Sequence, residues 1–178
     1  HFSFAPCPVD VRQLAHTVST PFAAEAAAQH IAFAVDITAA TPHTITTDPD
    51  RLRQILHNLL SNALKFTSHG SISVRVGPTA LSDGSVALRW EVADTGIGLA
   101  PEEQVAIFEP FYQVTNRHHD GTGLGLPICK KIIELMGGSL HVRSTVGRGS
   151  TFYCTIPLTP PALSLPDPPP RTDHAEER

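Results

Sequence analysis

Leu56, Leu59, Leu60 and Leu64 recur at the three- and four-residue intervals of a helix, while Asn58, Asn62 and Lys65 fall together on its opposite, polar side. Asp48-Pro49-Asp50 supplies a start, because proline is tolerated in a first helical turn, and the pattern predicts a helix to about Phe66. An earlier helix is expected over residues 10–29, bent at Pro21. A later one is expected over residues 123–136, through Lys130, Lys131, Ile132, Ile133 and Leu135, closed by Gly137-Gly138. Between them the period changes to two. Ile31, Phe33, Val35 and Ile37 alternate as a strand does. Residues 71–76 and 85–92 read as a hairpin about Ser82-Asp83-Gly84, and residues 140–143 and 150–156 as a last pair about Gly147-Arg148-Gly149. Helices and strands interleave, yet the hairpins exclude an all-parallel sheet. The expected fold class is α/β, a two-layer sandwich with one mixed β-sheet and helices on one face.

The 178 residues are 41% hydrophobic, enough to bury one core, and residues 1–158 are expected to form one domain. Seven of the fourteen residues from 157 to 170 are proline, so residues 159–178 read as a Pro-rich linker or disordered tail with no core to build. A formal charge of -4 without a basic run argues against a nucleic-acid partner. Cys7, Cys129 and Cys154 lack metal-ligand spacing and read as reduced, packed residues. The composition agrees with one cytosol-facing globular domain; no apolar stretch approaches the ~20 residues of a membrane span, which says nothing of whether a parent protein is anchored. A start at His1 rather than Met suggests a piece of a longer protein.

The polar face of the central helix carries candidate chemistry. An Asn side chain offers a hard cation a neutral oxygen while its NH2 donates elsewhere, and a lysine one turn on offers a compact charge to phosphate. By themselves these residues are equally well read as a solvated stripe. Asp94-Thr95-Gly96-Ile97-Gly98 follows an apolar run, placing a carboxylate where glycines let backbone approach a ligand; alone, it is an ordinary turn at a strand end. Gly121-Thr122-Gly123-Leu124-Gly125-Leu126 precedes a helical pattern, and backbone N–H groups freed of side-chain bulk at a helix start suit phosphate oxygens. With Leu126 in sixth place it is not the dinucleotide fingerprint, and no Gly-Lys-Ser/Thr makes it a P-loop.

Order makes these elements specific. Asn58-x3-Asn62-x2-Lys65-Phe66, then Asp94-x-Gly96-x-Gly98, then Phe108-Glu109-Pro110-Phe111, then Gly121-Thr122-Gly123-Leu124-Gly125-Leu126 resembles the N, G1, F and G2 boxes of sensor histidine kinases. The likeness is to their catalytic, ATP-binding domain, in the superfamily shared with DNA gyrase B, heat-shock chaperone ATPases and MutL, and the phrasing resembles the hybrid class. It covers roughly residues 2–158 and implies a Bergerat fold, with ATP and Mg2+ as ligands. It also implies roles: Mg2+ on Asn62 and Asn58, phosphate on Lys65, adenine against Phe66 and read by Asp94 where Gly96 and Gly98 admit the ring. Arg117 is implied to reach the γ-phosphate, residues 121–126 to hold phosphates, and Thr151 to touch the ligand. Residues 101–122 would form a lid over the nucleotide, docking Phe108 and Phe111 as it closes.

In ATPases and serine kinases of that superfamily the position held here by Asn58 is a glutamate that activates water or a hydroxyl. An amide accepts no proton near neutral pH, so the nucleophile must bring its own base. The resemblance implies a phosphoacceptor histidine on a separate dimerisation domain of the same protein, a homodimeric parent, and a receiver domain downstream. His16-Thr17-Val18-Ser19-Thr20-Pro21 lacks the acidic neighbour and the arginine of that acceptor box, and reads as an incidental helix histidine; His118 and His119 read as solvated. Two further readings stand beside the kinase: an ATP-hydrolysing machine of the same fold, which the missing glutamate disfavours, and a degenerate interaction module that no longer handles ATP.

Overall fold

The computed structural model describes residues 3–112 and 125–158. Two aspartates start its long helices. Asp10 accepts from the Gln13 amide at 2.9 Å and caps α1 (Val11–Ala28). Buried Asp48 caps α2 (Pro49–Phe66) by taking the Asp50 and Arg51 amides on Oδ1, while its Oδ2 takes the Ala5 amide at 2.9 Å and ties down the N-terminal segment. α1 continues through Pro21 without a break. A short helix, α3 (Pro101–Ala106), opens the segment expected to form a lid, and α4 (Gly125–Leu135) lies within the helix expected over residues 123–136. Residues 113–124, which hold the expected start of that helix and the C-terminal part of the expected lid, lie outside the described residues. Residues 159–178, the expected tail, also lie outside them.

Among the described residues seven strands make two sheets. β1 (Cys7–Asp10) and β3 (Thr44–Thr47) pair antiparallel in a small two-stranded sheet that hydrophobic periodicity does not announce. The main sheet has the order β2-β4-β5-β7-β6, built from β2 (Ala32–Ile37), β4 (Ser71–Ala80), β5 (Val86–Asp94), β6 (Ser139–Thr145) and β7 (Gly149–Pro157). Only the β2–β4 pair is parallel, so the sheet is mixed as expected. The β4–β5 hairpin is longer than expected and carries Pro78 opposite Leu88. Proline is tolerated there because β2 has already ended at Ile37, opposite Val76, leaving that side of β4 without a partner strand.

One face of the sheet packs on the helices. Trp90, Val92, Phe152, Cys154, Ile72, Val74 and Leu140 meet Leu52, Ile55, Leu56, Leu59 and Leu60 of α2 and Ile132 and Ile133 of α4 in one core. Leu59 is fully buried, so Leu59→Ala would cost about 2–5 kcal/mol. The opposite face is polar. There Arg89 lies 4.0 Å above the Tyr153 ring and pairs with Glu91 at 2.7 Å, and Arg143 reaches the same carboxylate at 3.8 Å. With its apolar face spent on the sheet, α2 turns Asn58, Asn62 and Lys65 outward.

Candidate functional site

Asn58, Asn62, Lys65 and Phe66 are each half-buried along one side of α2, as the sequence pattern requires. The C-terminal end of this row meets the end of β5. At Gly96 a Cβ would stand 2.2 Å from the Phe66 carbonyl oxygen and 3.0 Å from Asp94 Oδ1, so only glycine lets the turn after β5 close onto α2. Gly98, with φ of 70°, closes on the other side, where a Cβ would meet the Thr145 carbonyl at 2.1 Å. The Ile97 carbonyl accepts from the Gly147 amide at 2.8 Å, fastening this turn to the β6–β7 hairpin.

Asp94 is held by backbone. Its Oδ1 accepts from the Gly96 amide at 2.9 Å and the Ser150 amide at 3.3 Å. Burial pushes the carboxyl above its usual value, and these two donors oppose the shift by favouring the ionised form. With Oδ1 taken twice, Oδ2 is the oxygen free to accept from a ligand. Around the pair Asp94-Thr95 the chain makes further close approaches. A Cβ at Gly149 would lie 2.0 Å from the Asp94 carbonyl oxygen, and one at Gly70 would overlap Thr95 Oγ1. Thr95 Oγ1 itself accepts from the Ser71 amide at 2.9 Å.

Thr151 is not brought to this cluster. It opposes Ala93 across the β5–β7 ladder and so shares the outer, Tyr153-bearing face, whereas Ser150 opposes Asp94 and lies on its side of the sheet. Ser150 is buried and its hydroxyl lies 2.8 Å from that of Ser144. Ser144 Oγ also accepts from the Leu99 amide at 2.7 Å, and Gln104 of α3 donates to the carbonyls of Leu99 and Ser144. Sequence reasoning missed Ser144, Ser150 and Gln104. Gly147-Arg148-Gly149 was the available signal, the turn from which β7 returns with Ser150 opposite Asp94.

α4 begins beside the middle of α2. A Cβ at Gly125 would stand 3.8 Å from Asn58 Cγ, ordinary contact, and Leu126 is partly buried behind it. Asn58 Nδ2 donates to Cys129 Sγ at 3.2 Å. Burial pushes the Cys129 thiol up to about 11 and the Cys154 thiol up to about 12, so both stay protonated. Lys65 Nζ lies 6.0 Å from the centre of the Phe66 ring. Phe108 packs partly into the core with Lys130 Nζ 5.2 Å over its ring, while Phe111, at a φ of 64°, is 74% exposed. Arg117, Gly121, Thr122, Gly123 and Leu124 lie outside the described residues, as do His118 and His119.

The donor set suits a nucleotide with a divalent cation. Two neutral amide oxygens one turn apart satisfy a cation that keeps several waters and shares phosphate oxygens. A half-buried carboxylate with one free oxygen, walled by glycines, suits a planar ring bearing an amine. Among the described residues no group of three or more His, Cys, Asp or Glu could hold a metal by itself, and no helix is long and apolar enough to cross a membrane.

Residues 47–160 match the family described as "Histidine kinase-, DNA gyrase B-, and HSP90-like ATPase". The sensor histidine kinase GacS of Pseudomonas protegens is 41% identical over 91% of this chain, and the aerobic respiration control sensor protein ArcB of Escherichia coli K12 is 40% identical over 84%. This chain spans 18% of the first and 19% of the second. Among solved structures, full-length ShkA in complex with AMPPNP superposes with a TM-score of 0.78 at 35% identity, over 92% of this chain and 33% of that one. The nucleotide-free catalytic domain of histidine kinase ThkA superposes with a TM-score of 0.73 at 28% identity, over 88% of this chain and 99% of that one.

Proposed function

Because the chain belongs to the histidine kinase-, DNA gyrase B- and HSP90-like ATPase family, as a domain of the sensor histidine kinase type, we propose that it binds Mg·ATP and donates the γ-phosphoryl group to a histidine on a separate dimerisation domain. One observation carries the reading. Asn58, Asn62 and Lys65 line the open side of α2, and its Phe66 end is locked by Gly96 against the turn that holds Asp94.

On this reading Asp94 Oδ2 accepts from the exocyclic amine of adenine, and Phe66 packs on the ring. Lys65 takes a phosphate oxygen. Asn62 and Asn58 give amide oxygens to Mg2+, which when bound neutralises phosphate charge and orients the transferring group. Arg117 and the backbone amides of residues 121–126 complete the phosphate contacts. Thr151, on the far face of the sheet, is left out. The ShkA complex supports a nucleotide here, since the structure that superposes best among those compared above contains AMPPNP.

Nothing at Asn58 withdraws a proton, so the chain positions the donor and neutralises charge, and the acceptor supplies the base. The parent protein is then a homodimer facing the cytosol, with the Pro-rich segment leading to a receiver domain that takes the phosphoryl group onward. Calorimetric titration with ATP in the presence and absence of Mg2+ tests the reading. Binding strengthened by Mg2+ and much weaker for GTP is expected; no nucleotide binding would overturn it.

A further inference from the structure

Asn58 matters to the proposed reaction only if its carboxamide oxygen, and not its NH2, faces the cation. A terminal carboxamide has two nearly equivalent orientations about its last torsion, and an exposed one samples both. At Asn58 the surroundings distinguish them. Nδ2 donates to Cys129 Sγ at 3.2 Å, and Cys129 is fully buried beneath α2. Cys129 Sγ lies 4.0 Å from the Ile55 carbonyl oxygen, one turn earlier in α2, an acceptor for its hydrogen on the side away from Asn58. Sulfur therefore shows Asn58 its lone pairs, which accept an N–H and repel a carbonyl oxygen. A Cβ at Gly125 would stand 3.8 Å from Asn58 Cγ and 3.9 Å from Oδ1, so the carboxamide lies alongside the start of α4 with its oxygen unobstructed by a side chain there.

We propose that Cys129 is a positioning residue that fixes the direction of the Asn58 carboxamide, turning its oxygen toward the nucleotide-bound divalent cation. The inference rests on the Mg·ATP reading given above and assigns the thiol a task within it. Cys129 touches no ligand. It acts by removing the orientation in which Asn58 would present two N–H donors to a cation, so the site is organised before the ligand arrives.

The measurement is the ratio of ATP affinities with and without Mg2+, a binding quantity independent of phosphoryl transfer. Cys129→Val keeps an apolar group of similar size and removes the acceptor. It should lower the ratio about two- to tenfold, the range that one neutral hydrogen bond covers. Cys129→Ser, whose hydroxyl both accepts and donates, should restore most of it. In an Asn58→Ala background, Cys129→Val should lower the ratio no further, because a residue acting through Asn58 has nothing left to act on. Cys129→Ala gives the same comparison should valine not be accommodated. An unchanged ratio in Cys129→Val, or an equal loss in the Asn58→Ala background, overturns the assignment while leaving the Mg·ATP reading intact. A wild-type chain that binds ATP without any Mg2+ effect overturns the metal reading itself, and this inference with it.

Discussion

Gly96 and the carbonyl oxygen of Phe66 are in contact so close that no side chain fits between them: a Cβ on the glycine would lie 2.2 Å from that oxygen. The contact joins the turn carrying Asp94 to the end of the helix carrying Asn58, Asn62 and Lys65. Gly96→Ala must push backbone from backbone, an overpacking that costs about 1–3 kcal/mol. At about 2–4 °C per kcal/mol for a chain of this size, thermal unfolding should shift down by several degrees. ATP affinity should fall as well, because Asp94 and α2 move apart. A melt and a titration that both match wild type would show that the junction gives way freely.

Asp94 opposes stability to binding. Its folded carboxyl is raised by burial, so the ionised side chain costs stability once the pH is above that raised value, and the cost disappears as the pH falls through it. Asp94→Asn keeps an Oδ1 for the Gly96 and Ser150 amides and removes the charge. The variant should therefore gain on wild type in thermal stability near neutral pH, and the gain should shrink on acidification below the raised value. Nucleotide binding should move the other way. Loss of a charged acceptor, ~1.5–3 kcal/mol, weakens ATP at least about tenfold. Melting curves against pH, paired with ATP and GTP titrations, check both signs; equal affinity for the two nucleotides in wild type would remove Asp94 from adenine.

The sequence made the mixed sheet, the three long helices and the Asn–Lys face legible because each rests on a period repeated over several residues. β1 and β3 are four residues each, with only Val9 buried in the first and only Ile45 and Thr47 in the second, so no apolar period marks them. α3 is six residues with no buried member, and its position is announced only by Pro101. The Thr151 expectation failed for a different reason. Strand faces alternate residue by residue, so a one-residue choice between Ser150 and Thr151 decides the side of the sheet, and only the register with β5 settles it. Cys129 was unreadable as a partner of Asn58 because 71 positions separate them and the packing of α4 on α2 brings them together.

Asn62 offers the sharper test of the proposed metal role, since it is half-buried on the open side of α2 and its neighbour positions there, Asn58 and Lys65, are assigned to the same ligand. Asn62→Ala substitutes a good helix former, so the fold should be retained. In a chain that includes the acceptor domain, Mg2+-dependent phosphoryl transfer should be abolished while ATP still binds weakly. Circular dichroism guards the fold and transfer of label from γ-labelled ATP reads the function. Full transfer by the variant would refute metal coordination by Asn62.

Residues 1–178 alone should bind ATP yet neither label themselves nor release phosphate at an appreciable rate. His16 is exposed on α1, where its carbonyl accepts from the Thr20 hydroxyl at 2.7 Å, and its neighbours Ala15 and Thr17 offer no carboxylate to take its proton. Asn58 stands where a general base would be needed for water, and its amide is already committed through Nδ2 to Cys129. A positioned base contributes about 10²–10⁴-fold, and without one, bound water gains little. Supplying a dimerisation domain with an acceptor histidine, in the same chain or separately, should bring transfer to that histidine. Incubation with γ-labelled ATP decides the matter. Acid-labile label on His16, or brisk phosphate release that Asp94→Asn suppresses, would show that this domain carries its own acceptor or base.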